Sequence, residues 1–273
     1  MKVLKTILNF YINASIHVAL AVYAFVRITE IYFKLSYNEN LDYFIFYGTI
    51  TGYNFVKYAG VAKLHHKRLT KGLKIIQIFS LGCFFAMCYY GHLIDFKTLL
   101  LSVPFTLLTV LYAVPFLSGF DKNLREISYL KIIVVAFVWA GFTVLIPVFD
   151  AEKEFSLSVV FTIIQRFLIV LVLILPFDIR DMKFDAISLQ TIPKKIGVEQ
   201  TKKLGLTLLV FSLVLEFMSS TEITTKSPFM MFFFLLTIFL MRAKIKQPKY
   251  YSSFWVESLP IVWWLILLGF HNF

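Results

Sequence analysis

The sequence predicts an all-α integral membrane protein, a bundle of nine transmembrane helices that forms a single domain over residues 1–273. Hydrophobic residues make up 59% of the chain and charged residues only 16%, which is far more apolar than a soluble domain. The apolar residues fall in long runs, close to the roughly 20 residues that a helix needs to cross a bilayer. The positions of Lys and Arg between these runs support the same architecture.

Nine apolar segments account for most of the chain. They run over residues 10–28, 41–60, 73–94, 98–117, 130–149, 156–177, 204–219, 228–242 and 254–271. The seventh and eighth are short for a full span, so we expect an error in where they begin. No soluble domain or flexible linker separates the segments, so functional residues must lie in the bundle or in its loops.

The basic residues predict the orientation, because cytoplasmic loops carry an excess of Lys and Arg. With the N-terminus inside, most of the 27 Lys and Arg fall on the cytoplasmic side. The two most polar cytoplasmic loops follow the second and sixth spans. An odd number of spans then places the C-terminus on the opposite side of the membrane.

The net charge of +11 could indicate nucleic-acid binding. The excess is instead divided among five cytoplasmic segments, whereas a nucleic-acid-binding surface concentrates its charge on one face. We therefore expect no nucleic acid. Anionic lipids of the bilayer and an anionic substrate explain the charge better.

Three carboxylates follow directly on the sixth apolar segment. Asp178, Asp181 and Asp185 stand at positions i, i+3 and i+7, so they share one face if the helix continues past Pro176. Such a face suits Mg²⁺, which prefers oxygen ligands and shares them with substrate phosphates. The spacing predicts a magnesium site for a phosphate ester. The alternative is a solvated loop in which one aspartate caps the next helix.

The residues around these carboxylates resemble the UbiA superfamily of intramembrane prenyltransferases. The run Asp178-Ile-Arg180-Asp181-Met-Lys-Phe-Asp185 is followed by Thr191-Ile-Pro193 and Ile196-Gly197, in the order of that family's second aspartate-rich motif. The stretch Leu111-Tyr112-Ala-Val-Pro115 resembles its Tyr-x-x-Pro segment. The resemblance extends over the whole chain in span count and orientation.

The resemblance implies a UbiA-like bundle around a lipid-accessible cavity, with Mg²⁺ and a prenyl diphosphate held by motifs after the second and sixth helices. It implies that Asp181 and Asp185 are catalytic metal ligands and that Asp178 is a third ligand or orients the others. Arg180 and Tyr112 would bind substrate. The implied reaction is transfer of a prenyl chain from an isoprenoid diphosphate to a lipophilic acceptor.

The chain departs from the family's first motif, Asn-Asp-x-x-Asp-x-x-x-Asp. Aligned from Asn54, this chain has Phe55, Tyr58 and Ala62 where aspartates are expected. Lys57 adds positive charge, which can neutralise a diphosphate as a metal does. We expect Asn54 and Lys57 to contact the diphosphate. A catalytically impaired protein that binds lipid or diphosphate without turnover is the first alternative.

Arg166 lies near the middle of the sixth span, where an ionisable side chain is costly and usually faces a cavity or a partner. It precedes Asp178 by about 18 Å of helix, too far to reach the same phosphate. It is predicted to bind substrate by lining the cavity floor or orienting an acceptor head group. An internal ion pair or snorkelling to the outer interface is the alternative.

A transporter is the third possibility. Transporters often have paired spans interrupted by Gly or Pro near the bilayer midplane. Pro104 falls within the fourth predicted span, and no clear counterpart is expected four spans later. The transporter therefore ranks below the enzyme and the binding protein.

Overall fold

The computed structural model describes residues 2–62, 71–114, 130–183, 191–219 and 223–271, and all regular secondary structure in these ranges is helical. The helices in chain order are α1 (Lys2–Asn13), α2 (Ile16–Phe33), α3 (Glu39–Ala62), α4 (Lys71–Leu93), α5 (Phe96–Ala113), α6 (Leu130–Asp150), α7 (Leu157–Asp181), α8 (Ile192–Ile196), α9 (Val198–Ser219), α10 (Ile223–Arg242) and α11 (Tyr251–His271). Two of them contain π-helical stretches, Gly141–Leu145 in α6 and Tyr251–Val256 in α11.

Seven of the described helices are long and apolar enough to cross a membrane, namely α2, α4, α5, α6, α7, α10 and α11. The protein is therefore an integral multi-pass membrane protein, as predicted. Helices α3 and α9 have 24 and 22 residues and coincide with the second and seventh predicted spans. Their composition alone does not identify them as spans, because both are richer in polar residues.

The first predicted span, residues 10–28, is misplaced. The helix that contains Phe10 ends at Asn13, and α2 begins at Ile16. Between them Ser15 adopts a left-handed conformation with φ 63°, which is unfavourable for a residue with a Cβ atom. The break separates the short helix α1 from the span, which therefore runs to Phe33.

Asn54 of α3 stabilises this break. Its Oδ1 accepts a hydrogen bond of 2.8 Å from Ser15 Oγ, and its Nδ2 donates to Ala14 O at 3.1 Å. A buried amide that is bonded at both ends offsets the strain at Ser15. These contacts join residues about 40 positions apart, so local sequence patterns could not indicate the break.

Helix α7 continues past Pro176 to Asp181, which confirms the continuation on which the shared face of Asp178 and Asp181 depends. The carbonyl of Pro176 accepts hydrogen bonds from Gln247 Nε2 at 2.9 Å and from Ser252 Oγ at 3.2 Å. These two side chains fix the last turns of α7 against the start of α11. The direction of the acidic face is thereby set by tertiary contacts.

The seventh and eighth predicted spans begin too late. Helix α9 starts at Val198 and α10 at Ile223, so both are long enough to cross a bilayer. The earlier start places Pro228 inside α10, four long helices after the helix that contains Pro104. The expectation that Pro104 has no such counterpart is therefore wrong.

Aromatic rings dominate the core between α2, α10 and α11. Trp263 is fully buried and stacks on Phe232 with ring centres 4.6 Å apart. Phe25 and Phe229 meet the same indole edge to face at 6.1 and 5.4 Å, a geometry favoured by the ring quadrupoles. This packed region therefore joins the three helices through aromatic contacts.

Candidate active site

A cavity of about 910 Å³ opens between α2, α3, α5, α6, α7 and α11. Its wall is mostly apolar, with Val22, Phe44, Met87, Val110, Val135, Phe142 and Leu173 among the lining residues. Cavities of this size and character bind ligands that are largely apolar and are oriented by a few polar groups. An elongated lipid chain fits this wall.

Charged side chains gather at one end of the cavity, where α3 and α7 end and α6 begins. Those in the described ranges are Lys57, Lys131, Asp178, Arg180, Asp181, Lys249 and Glu257. Four of these are cationic and three are acidic, so both a phosphate group and a cation can be accommodated there. The cavity thus has an amphipathic lining that matches a lipid with an anionic head.

Two of the three predicted carboxylates face this end. Asp178 Oδ1 lies 2.7 Å from Lys131 Nζ. Asp181 accepts two hydrogen bonds from Arg180, at 2.7 Å from Nε and 3.1 Å from Nη2, in the bidentate arrangement typical of arginine and carboxylate. Asp185 lies outside the described residues.

The donor set suits a metal that is shared with a substrate. Within the described ranges, no group of three His, Cys, Asp or Glu side chains is placed to hold a metal ion by itself. Mg²⁺ needs no such cage, since one or two carboxylates, substrate phosphates and water commonly complete its octahedron. Asp178 and Asp181 are spaced at i and i+3 and meet this requirement.

Helix α3 carries Lys57 and Asn54, which the sequence predicts to contact a diphosphate. Only Lys57 lies at the charged end of the cavity. Lys57 lines the cavity, and its Nζ donates a hydrogen bond of 2.8 Å to Ser15 Oγ. Asn54 is not a lining residue. It is buried and both ends of its amide are engaged at the break between α1 and α2. In this structure Asn54 has structural partners, and its predicted contact with a diphosphate stays a prediction.

Phe55 and Tyr58 stand at the first two aspartate positions of the family's first motif. Phe55 lines the cavity. Tyr58 donates a hydrogen bond of 3.1 Å to the carbonyl of Asn13 and so holds the end of α1. Neither residue supplies a carboxylate to the α3 side.

Tyr112 lines the cavity and is largely buried, whereas Pro115 lies outside the described residues. Both belong to the predicted Tyr-x-x-Pro stretch. The position of the phenol ring is compatible with the predicted contact with substrate. Its role as a binding residue stays a prediction.

Arg166 lies outside the cavity lining. It is buried in the core, where Nη1 donates a hydrogen bond of 2.9 Å to Phe25 O and the guanidinium lies 4.1 Å from the centre of the Phe25 ring. The charge interacts electrostatically with buried Glu216. Helix α7 turns this side chain towards α2 and α9, as in the internal ion pair given above as the alternative. The predicted role of Arg166 in substrate binding stays a prediction.

Three charged lining residues were missed by the sequence analysis. Lys131 lies in the first turn of α6, Lys249 precedes α11, and Glu257 follows the π-helical stretch of α11. One signal was available: Glu257 is the only acidic residue in the last apolar run, and an ionisable residue within a span indicates function by default. The two lysines have no comparable signal, since loops of this chain are rich in Lys.

The fold and the cavity together define a helical integral membrane protein with an apolar chamber and a charged mouth. The fold is shared with an apo UbiA homologue from Aeropyrum pernix K1, at 12% identity, with 93% of this chain and 98% of that chain covered and a TM-score of 0.66. It is also shared with a UbiA homologue from Archaeoglobus fulgidus bound to GPP and Mg²⁺, at 11% identity, 97% and 100% coverage and a TM-score of 0.59.

A third similar structure is described as a digeranylgeranylglyceryl phosphate synthase, with 16% identity over 99% of this chain and 98% of that chain and a TM-score of 0.57. No protein-family model matches the sequence, and no match is found among curated protein sequences. The chain shares the fold of these structures over 93% to 99% of its length. The predicted resemblance to that superfamily is thereby confirmed at the level of fold.

Proposed function

We propose that the protein is a membrane prenyltransferase, which transfers a prenyl chain from an isoprenoid diphosphate to a lipophilic acceptor. The observation that carries the proposal is the cavity, whose apolar wall ends in a cluster of cations and carboxylates. A prenyl diphosphate has the same division into a long apolar chain and an anionic head. The A. fulgidus homologue bound to GPP and Mg²⁺ supports this ligand class.

The cations would bind the diphosphate. Lys57, Lys131, Arg180 and Lys249 reach the charged end from four different segments. In a partly dry cavity their attraction for a phosphate is much stronger than in water. Lys57 supplies charge on the side where the aspartates of the first motif are replaced.

Asp178 and Asp181 would hold Mg²⁺, and Asp185, outside the described residues, stays a predicted third ligand. Mg²⁺ bound to these carboxylates would neutralise charge on the diphosphate as it departs. Lys131 forms an ion pair with Asp178 and Arg180 forms one with Asp181. They would orient the carboxylates and also bind phosphate oxygens.

The transfer breaks the allylic carbon–oxygen bond of the donor, and the electron pair leaves with the diphosphate. The prenyl carbon then forms a bond with the acceptor, and the acceptor loses a proton, which leaves with the diphosphate or passes to water. Positive charge that develops on the prenyl group is stabilised by aromatic faces and protected from water by the apolar wall. Tyr53, Trp139, Phe142 and Phe177 line the cavity and supply such faces.

We further propose that α3 and α9 also cross the bilayer, which gives nine spans in a single domain. The N-terminus and the charged end of the cavity would then be cytoplasmic, and the C-terminus would lie on the opposite side. The excess of Lys and Arg on the proposed cytoplasmic side supports this orientation. The same excess favours anionic lipids in the inner leaflet.

Binding without turnover remains the second candidate. It is favoured by Phe55 and Tyr58, which occupy positions where the family's first motif has aspartates. Loss of those metal-binding aspartates weakens stabilisation of the transition state more than it weakens substrate binding, because the charge on the diphosphate grows during bond cleavage. The pair Pro104 and Pro228 keeps a transporter as the third candidate.

Calorimetry with geranylgeranyl diphosphate tests the proposed site. We expect the detergent-purified protein to bind the diphosphate with Mg²⁺ and much more weakly with a chelator. Asp181→Asn should lower the affinity at least tenfold, since a charged metal ligand is lost.

The matched control is Asp95→Asn. Asp95 lies in the connection between α4 and α5, where it caps α5 by accepting a hydrogen bond from Lys97 N at 3.1 Å, and asparagine caps equally well. This variant should bind like the wild type. Equal affinity of wild type and Asp181→Asn, or no binding in any condition, would refute the diphosphate site.

A further inference from the structure

A second polar group lies within the same cavity, away from the α7 carboxylates in sequence. It consists of Tyr53 on α3, Trp139 on α6 and Glu257 on α11, and all three line the cavity. We propose that these side chains form a subsite for the hydroxyl group of the acceptor. That the ligand is the prenyl acceptor rests on the proposed function. The preference for a hydroxyl group follows from the side chains of the subsite.

Trp139 fixes the hydroxyl group of Tyr53. The indole Nε1 donates a hydrogen bond of 2.8 Å to Tyr53 Oη. An indole N–H can only donate, so the phenol oxygen is the acceptor in this bond and its own hydrogen is directed elsewhere. Among the residues that the structure describes, none accepts a hydrogen bond from Tyr53 Oη, so the phenol can donate to a ligand in the cavity.

Glu257 offers the complementary acceptor. Its backbone N–H donates to Ser252 O at 3.2 Å, which holds the residue at the end of the π-helical stretch. The carboxylate interacts electrostatically with Lys57 and Arg180 and with Tyr53. Lys57 and Arg180 therefore balance the charge of Glu257 without a hydrogen bond to it.

The carboxylate of Glu257 has cations nearby, but it lacks hydrogen-bond donors among the described side chains. Within the part of the chain that the structure describes, no side-chain hydrogen bond to Glu257 is found. A carboxylate in an apolar cavity is costly unless it accepts hydrogen bonds. A ligand that donates a hydrogen bond to Glu257 would offset this cost.

A hydroxyl group matches both halves of the subsite. It can accept a hydrogen bond from Tyr53 and donate one to Glu257 at the same time. An ether or a ketone can accept but cannot donate, so it would leave the carboxylate unsatisfied. The subsite therefore selects lipophilic alcohols and phenols over their ethers.

Arg180 places this subsite beside the diphosphate end. It bonds Asp181 at 2.7 Å through Nε and interacts electrostatically with Glu257. A hydroxyl group bound at Glu257 would thus approach the region in which the donor's reacting carbon is held. This proximity is what transfer between two substrates in one cavity requires.

The test compares farnesol with farnesyl methyl ether in equilibrium binding to the detergent-purified protein. We expect wild type to bind the alcohol at least tenfold more tightly than the ether, because a hydrogen bond to a charged group in a site built for it gives discrimination of this size. Glu257→Gln should reduce the ratio to about threefold or less, because only the alcohol can donate to this side chain. Tyr53→Phe should weaken binding of the alcohol and of the ether about equally, because both ligands accept the hydrogen bond of the phenol. Binding of the ether should change little in Glu257→Gln.

The matched controls are Glu39→Gln and Tyr89→Phe, because both residues are exposed and lie outside the cavity lining. They should keep the wild-type ratio. Equal binding of alcohol and ether by the wild type would overturn the proposal, as would a wild-type ratio in Glu257→Gln. If Glu257→Gln does not fold, the affinities of Tyr53→Phe decide, and unchanged binding of both ligands by that variant would overturn the subsite.

Geranylgeranyl diphosphate binding on the same preparations separates this inference from the proposed function. Absence of diphosphate binding together with a preserved alcohol preference would refute the prenyltransferase and keep the hydroxyl subsite. Diphosphate binding without any alcohol preference would refute the subsite and keep the donor site.

Discussion

Lys131 Nζ lies 2.7 Å from Asp178 Oδ1 and joins the first turn of α6 to the last turns of α7 at the charged end of the cavity. The carboxylate is almost fully buried, whereas the lysine is partly exposed, with 22% of its side chain accessible. The pair therefore has two functions in our account. It balances the charge of Asp178 before a ligand is present, and it places a cation where a diphosphate would bind.

Replacement of Lys131 by methionine should weaken diphosphate binding and also destabilise the protein. The buried carboxylate of Asp178 would lose a charged neighbour, at a cost of about 1–3 kcal/mol after allowance for the exposure of the lysine. Thermal unfolding in detergent measures the loss. In the double variant Lys131→Met with Asp178→Asn, much of the stability should return, because neither partner then remains as an isolated charge. Additive losses in the double variant would contradict the pairing.

Removal of the Asn54 amide should loosen α1 without abolishing the cavity. Asn54→Ala breaks the bonds to Ser15 Oγ and Ala14 O, which should cost about 1–3 kcal/mol because a strained backbone loses its support. Hydrogen exchange of residues 2–13 should rise more than that of α7. The control Asn40→Ala changes a residue whose side chain makes no such contact with the break. Unchanged exchange in α1, with tenfold weaker diphosphate binding, would restore the original prediction that Asn54 binds substrate.

Arg166 should support the fold and not the ligand. Arg166→Met removes the hydrogen bond to Phe25 O and one of the cations that interact with buried Glu216, so we expect a loss on the order of 2–4 kcal/mol. The affinity for geranylgeranyl diphosphate should change less than threefold. Arg242→Met, at the exposed end of α10, is the control for loss of an arginine. A tenfold loss of affinity at unchanged stability would place Arg166 in the binding site after all.

Gly205 permits the close approach of α9 to α7 and α10. A Cβ atom at this position would lie 2.7 Å from Leu240 Cδ2 and 2.8 Å from Leu175 Cδ1. Gly205→Ala should therefore lower the unfolding temperature, with an overpacking cost of about 1–3 kcal/mol. Gly82→Ala is the control, because nothing lies within 4 Å of its Cβ position and alanine favours a helix. Equal unfolding temperatures for the two variants would contradict this packing.

The features that the sequence predicted depend on local periodicity. The shared face of Asp178 and Asp181 follows from the i, i+3 spacing, once α7 continues past Pro176. The long apolar runs likewise predict most spans to within a few residues. Lys57 and Tyr112, which the sequence predicts to bind substrate, both line the cavity, and their binding role stays a prediction.

The features that were missed depend on contacts between distant segments. The break at Ser15 is held by Asn54, and the last turns of α7 are held by Gln247 and Ser252. Whether Arg166 faces the cavity or the core depends on the rotation of α7 against its neighbours, which a single sequence does not reveal. Glu257 was also missed, but for another reason: an acidic residue inside an apolar run is a signal of function that the sequence itself contains.

The central claim is that the α7 carboxylates serve prenyl transfer, and transfer of label from radioactive geranylgeranyl diphosphate into an extracted lipid fraction tests it most directly. With Mg²⁺, wild type and Asp95→Asn should form a labelled lipid product. Asp178→Asn and Asp181→Asn should each form it at least 100-fold more slowly, because a metal ligand lost at the departing diphosphate raises the barrier by about 2.7 kcal/mol or more. Product formation by both carboxylate variants at the wild-type rate would contradict the account.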